Sequence, residues 1–193
     1  MKKILVLHGH PDPESFNVAL GAAYVKGAQA AGAEVREVVV RDLDFNPNLR
    51  FGYRKRTDLE PDLLAAWEDI QWCTHLAVVY PVWWGSLPAV FKGFFDRLFL
   101  PGFAFQKREN SVWWDKLLTG RSGRIICTMD QPGWYYRWRY GRPSTRAMKA
   151  LTMRFVGIWP VRTTTIGPLR LSTERFRAKA LDRVERAGKR DAR

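Results

Sequence analysis

Five short apolar runs decide what this 193-residue chain can fold into: Lys3 to Leu7, Glu34 to Val40, His75 to Tyr80, Gly123 to Thr128 and Val161 to Ile166. The first of them has no polar-apolar alternation, as expected of a strand covered on both faces. The segments between them read as helices. After the first run, apolar residues recur at Phe16, Leu20, Ala23, Tyr24, Gly27 and Ala31, with Ser15 as the N-cap and Gly32 as the stop. Pro61 opens a second helix through Leu63, Trp67 and Ile70. A third has Leu87, Phe91, Phe94, Phe95 and Leu98 inside, Lys92 and Asp96 paired outside, and Ser86 as its cap. Pro143 to Phe155 reads as helix ended by Gly157, and Ser172 to Arg190 as a basic closing helix. Asp42 to Asp58 reads as a long loop, and Pro101 to Thr119 as irregular and aromatic. Strand and helix alternate five times without a repeat or a composition break. The expectation is one α/β domain over residues 1–193, a three-layer sandwich around a five-stranded parallel sheet.

In the strand order 2-1-3-4-5, the connections after strands one and three leave to opposite faces, and ligands bind in the crevice between them. That order brings the loop His8 to Ser15 beside Pro81 to Ser86, with Thr128 to Tyr136 next along the same edge. The first loop ends at a helix N-terminus, where free amides and the helix dipole favour an anion, and Ser15, Asn17 and His10 add donors. Adjacent Trp83 and Trp84 suit a flat ligand; a structural plug or a subunit contact would use them equally well. A flavin has the required phosphate and planar ring. Tyr135 or Tyr136 can donate to a developing oxyanion on a quinone or on the flavin carbonyl edge, against the alternative of packing. Arg137, Arg139, Arg142 and Arg146 either hold the phosphates of a nicotinamide dinucleotide or form a solvated face.

The formal net charge of +13 is unevenly placed. Residues 120–155 hold eight Lys or Arg against Asp130 alone. Such a field attracts nucleic acid, anionic lipid or dinucleotide phosphates alike. Aromatics cluster at loops rather than interleaving with the basic helix, which argues against nucleic acid. Cys73 and Cys127, the only cysteines, lack metal-ligand spacing and read as buried inert thiols. There is no apolar run of eighteen residues and no signal-type N-terminus, so a cytoplasmic location is expected.

Three stretches together resemble the flavodoxin-like NAD(P)H:quinone oxidoreductases, also described as NAD(P)H dehydrogenases (quinone). They are His10-Pro-Asp-Pro-Glu-Ser-Phe-Asn17; Asp42-Leu with Phe45-Asn-Pro47; and Pro81-Val-Trp-Trp-Gly with Pro88-Ala and Lys92-Gly-Phe-Phe-Asp-Arg97. The likeness is strong to about Phe105 and thinner but collinear beyond. It implies a flavodoxin-like fold. It further implies that His10, Ser15, Phe16 and Asn17 bind the flavin phosphate region, that Pro81, Val82, Trp83, Trp84 and Gly85 line the ring, and that Thr128 begins a second flavin loop, which includes Asp130. Tyr136 falls where the family often has a tyrosine assisting hydride transfer. Two departures stand out. The family's Thr-Thr-Gly-Gly is here Thr128-Met-Asp-Gln131, and Arg142 replaces a histidine that can accompany the tyrosine. The implied activity passes a hydride from NAD(P)H through the N5 atom of FAD or FMN to a quinone by a ping-pong mechanism, in a homodimer with Pro101 to Trp114 as a candidate interface. Rival readings are reduction of nitro- or azo-aromatics, a flavin carrier without enzymatic activity, and a regulatory subunit of a membrane transporter with peripheral membrane contact.

Overall fold

The computed structural model describes residues 1–193. Its central sheet comprises β1 (Lys3–His8), β2 (Glu34–Val39), β3 (His75–Pro81), β6 (Ser122–Thr128) and β7 (Val161–Ile166), in the order β2-β1-β3-β6-β7 with every pairing parallel. This is the expected 2-1-3-4-5 arrangement. A small antiparallel pair, β4 (Phe105–Lys107) and β5 (Trp114–Lys116), lies outside the sheet within the segment expected to be irregular. Its aromatics explain the misreading. Phe103 and Trp114 pack against the core while Trp113 faces solvent, so no period survives in the sequence.

Alternate strand residues point to opposite faces. Ile4, Val6, Ala77, Val79 and Ile126 pack beneath α1 (Phe16–Ala30) and α6 (Glu174–Asp191). Leu5, Leu7, Leu76, Val78, Ile125 and Cys127 pack beneath α2 (Pro61–Trp72), α3 (Ala89–Leu98) and the segment 147–158. Both faces being covered is why the central strands read as unbroken apolar runs. The two cysteines are buried. Desolvation pushes the Cys73 thiol up to about 11 and the Cys127 thiol up to about 12, so neither is a thiolate at neutral pH.

Local caps follow the sequence with one correction. Ser15 accepts from the Asn17 amide (3.2 Å) and Thr173 from the Phe176 amide (3.2 Å), each capping its helix. Ser86 does not cap α3, whose N-cap is Pro88; it closes the tryptophan turn described below. Helix α4 (Gly133–Trp138) is short, and α5 (Pro143–Arg146) runs into a π-helical stretch, Ala147–Met153.

The Asp42 to Asp58 loop is strapped to α3 by a buried cation. Arg97 donates to both Glu60 carboxylate oxygens (3.0 and 2.8 Å) and to the Asp58 carbonyl (2.8 Å), and it also bonds the Asn46 carbonyl. Glu60 in turn accepts the Asn46 amide (3.1 Å). Pro47 lies directly over Gly93, where an added Cβ would meet Pro47 Cβ at 2.4 Å and its carbonyl oxygen at 2.6 Å. The Phe45-Asn-Pro and Lys-Gly-Phe-Phe-Asp-Arg stretches are therefore the two halves of one structural contact, which holds α3 behind the site. Gly93→Ala should destabilise the protein by about 1–3 kcal/mol through overpacking, read by urea denaturation; an unchanged midpoint would mean the loop lifts away freely.

Candidate functional site

Register fixes the site. Pro81 pairs with Thr128, and Thr128 with Ile166, so the three loops leave the C-terminal edge of the sheet level with one another. The β1 loop joins them where Gly9 donates to the Val79 carbonyl (2.8 Å). Two clefts open at this edge, and they share Val82, Trp83 and Asp130. The smaller, about 190 Å³, is lined by His10, Ser15, Phe16, Asn17, Pro81 and Thr128 among others. The larger, about 630 Å³, adds Trp84, Gly85 and Tyr136. The twelve residues that the resemblance assigns to the site thus line these two adjoining clefts, whereas Tyr135, Arg137, Arg139, Arg142 and Arg146 line neither.

In the smaller cleft, donors converge at the N-terminus of α1. Ser15 Oγ accepts the Asn17 amide, which leaves the hydroxyl proton free. Asn17 is 4% exposed; its Nδ2 donates to Thr128 Oγ1 (2.9 Å), leaving that hydroxyl free to donate as well. Asn17 Oδ1 is buried and has no partner, and the Phe16 amide makes no protein hydrogen bond. A buried amide left half-satisfied costs free energy unless a ligand completes it. His10 Nδ1 accepts the Asp12 amide (3.0 Å), so its Nε2 carries the proton. Burial, opposed by Asp12, holds the His10 pKa below its ordinary value, and the ring acts as a neutral donor edge-on to Trp83, 5.4 Å between centroids.

The larger cleft is built on a tight turn. Trp83 and Ser86 exchange both backbone bonds (3.1 and 2.8 Å), and Trp84 and Gly85 between them sit at φ 49° and 73°. That is a type I′ turn, which needs left-handed backbone at both central residues. Gly85 adopts it freely, whereas for Trp84 it stores strain of about 1–3 kcal/mol. The amides of Trp84 and Gly85, and those of Asp130 and Gln131 opposite, make no hydrogen bond to the protein. Trp84 is fully exposed and Trp83 half-exposed, so neither plugs the fold. Asp130 Oδ1 accepts the Arg170 amide (3.0 Å) and fixes its loop to the one after β7.

Tyr136 is 2% exposed, and its hydroxyl oxygen accepts the Thr145 amide (3.1 Å). Burial raises its pKa, against the lowering effect of that bond, so the phenol stays protonated and its O–H remains a donor. The sequence reading missed Met129, Gln131, Leu169, Tyr140 and Pro143, which also line the clefts. Leu169 was recoverable, because the loop after the fifth strand leaves the same edge; its amide bonds the Met129 carbonyl (3.1 Å). Tyr140, half-exposed and edge-on to Tyr135, carried no spacing signal. No group of three or more His, Cys, Asp or Glu is placed to hold a metal ion.

NAD(P)H dehydrogenase (quinone) 1 of Rattus norvegicus is 26% identical over 125 residues, 54% of this chain and 46% of that protein. The chain spans about half the length of the curated relatives it matches. The crystal structure of Smu.1420 from Streptococcus mutans UA159 is 28% identical, covers 97% of this chain and 99% of its own, and superposes with a TM-score of 0.82. An FMN-dependent NADH-azoreductase from Bacillus anthracis, solved in complex with FMN, is similar in fold, with 17% identity, full coverage of both chains and a TM-score of 0.79. The family model described as flavodoxin-like fold matches residues 2–188, and the chain belongs to that family.

Proposed function

We propose that this chain is a flavin-dependent NAD(P)H oxidoreductase whose acceptor is a quinone. The carrying observation is the set of free donors at the N-terminus of α1, the Phe16 amide and the Ser15 and Thr128 hydroxyls, beside a cleft bordered by four more unpaired amides. An anionic phosphate with a planar, acceptor-edged ring attached complements that donor set. Ser15, Phe16, Asn17 and His10 would bind the phosphate region. Pro81, Val82, Trp83, Trp84, Gly85, Thr128 and Asp130 would line the ring, and the apolar indoles would exclude water from it. The Tyr136 O–H, held by the Thr145 amide, would donate to oxygen that gains charge as a hydride arrives. When bound, FMN or FAD would supply the two-electron chemistry, hydride transfer from NAD(P)H through its N5 atom to the acceptor in a ping-pong cycle. The quinone reading draws on the name of the rat relative, and the FMN-bound azoreductase structure favours an azo-aromatic as the second reading.

The purified chain should therefore take up one FMN or FAD, and NADH or NADPH should bleach the bound flavin without oxygen. A benzoquinone should then restore the colour. Protein that binds neither flavin sinks this reading. Flavin that binds but resists both dinucleotides would instead support a carrier.

A further inference from the structure

Tyr136 also borders a third cleft of about 430 Å³. Its charged lining is Arg137, Arg142, Arg146 and Lys149, with no carboxylate, and Thr163 and Thr165 of the edge strand β7 add hydroxyls. None of these four cations has an ion-pair or hydrogen-bond partner in the protein. Several cations elsewhere do have acidic partners. On α6, Arg186 pairs with Asp182 and Lys189 with Glu185; Arg36 pairs with Asp69, and Arg108 with Asp115. A merely solvated basic face resembles α6, with acids interspersed. Four unpaired cations around a concave, hydroxyl-lined space repel one another until an anion enters.

The backbone marks the same place. Arg142 is one of only three non-glycine residues at positive φ (57°), and Lys149 lies in the π-helical stretch, a distortion frequent at functional sites. Tyr136 lines both this cleft and the ring cleft, so the two are neighbours. The volume exceeds what one inorganic phosphate fills and suits a phosphorylated ribonucleoside.

We infer that this cleft binds the 2′-phosphorylated adenosine end of NADPH and makes the protein select NADPH over NADH. The inference rests on the oxidoreductase reading for its purpose but not for its test. Guanidinium groups bind phosphate oxygens in pairs, and Arg142 and Arg146 would do so from opposite ends of α5, with the threonines completing the shell.

The test titrates the purified full chain by calorimetry with adenosine 2′,5′-bisphosphate, adenosine 5′-monophosphate and inorganic phosphate. The bisphosphate should bind roughly 10- to 100-fold tighter than the monophosphate, the discrimination of one or two charge-assisted hydrogen bonds. Arg142→Gln with Arg146→Gln, and separately Lys149→Gln, should shrink that ratio. The ratio of kcat/KM for NADPH to that for NADH should fall with it. Equal binding of the two nucleotides overturns the inference, as does inorganic phosphate binding as tightly as the bisphosphate, or a cofactor ratio that the variants leave unmoved. Selective bisphosphate binding by a chain that holds no flavin would refute the oxidoreductase reading and leave the nucleotide site standing. Flavin reduction without discrimination would do the reverse.

Discussion

Asp191→Ala lowers the stability of the fold by about 3–5 kcal/mol, the loss expected when one partner of a buried ion pair is removed. The carboxylate lies in the last turn of α6 with its side chain wholly buried. Arg124 of β6 grips it with two nitrogens, one at 2.8 Å from Oδ1 and the other on Oδ2, and donates a third bond to Thr164 (3.0 Å). Tyr24 of α1 donates to Oδ2 (2.8 Å) and Arg162 of β7 to Oδ1 (3.1 Å). His75, the first residue of β3, completes the group, with Nε2 facing Tyr24 (3.1 Å) and Nδ1 facing Ser122 (2.7 Å). One carboxylate thus ties two helices to three strands at the sheet edge opposite the clefts. Without it the Arg124 guanidinium, 4% exposed, has no counter-charge. Adding Arg124→Met should recover part of the loss, since an apolar replacement of both partners removes the stranded charge. A single-variant cost below about 1 kcal/mol would mean that water replaces the carboxylate.

The same cluster sets an acid limit. Burial opposes ionisation of Asp191, but the hydrogen bonds from Arg124 and His75 and the Arg124 charge outweigh it and hold the carboxyl far below the usual range. Its stabilising contribution is full above the unfolded-state value of about 4 and is lost as pH falls below that. Burial also depresses the His75 pKa, with Asp191 acting in the opposite direction. The unfolded chain therefore takes up a proton that the folded one refuses, and stability declines in the same sense below about pH 6.5. Wild-type protein should lose stability progressively as pH drops from 6.5 to 3, and Asp191→Ala should flatten the lower part of that curve.

What the sequence carried, and what it hid, divides along physical lines. Runs such as Leu76 to Tyr80 announce a strand buried on both faces, because burial there demands apolar side chains at every position. Ser15 and the period from Phe16 to Ala31 announce a helix entry, because both effects are local. With a parallel strand order these alone bring His10, Pro81 and Thr128 together, and their register pairs Pro81 with Thr128. The Asp191 cluster was illegible for the converse reason. Its partners Tyr24, His75, Arg124 and Arg162 are scattered along the chain, and an aspartate near the end of a basic helix looks like any exposed acid. The tryptophan turn was half legible. Pro-Val-Trp-Trp-Gly-Ser announced a loop, but the left-handed Trp84 depends on the exchange between Trp83 and Ser86, and Ser86 looked like a cap.

Ser15→Ala combined with Asn17→Ala should weaken flavin binding by about 100-fold or more, through loss of the Ser15 donor and of the Thr128 donor that Asn17 orients, two charge-assisted hydrogen bonds at about 1.5 kcal/mol each. Trp83→Ala should weaken it by less than about 10-fold, since one aromatic contact contributes roughly 0.5–1.5 kcal/mol beyond area burial. The asymmetry follows from what each side chain does without a ligand. Trp83 is half-exposed and touches His10 edge-on, so its removal leaves the turn's backbone bonds intact. Ser15 and Asn17 order one another and Thr128, and Asn17 keeps a buried oxygen without a partner. Removing them takes the Ser15 donor from the anion end, frees the Thr128 hydroxyl that Asn17 orients, and unties the first loop from the third. The double change also costs about 1 kcal/mol of stability as a lost helix cap, so flavin retention is to be read at a temperature where both variants remain folded. Equal retention by the two folded variants would place the binding free energy in the ring alone and remove the phosphate half of the site.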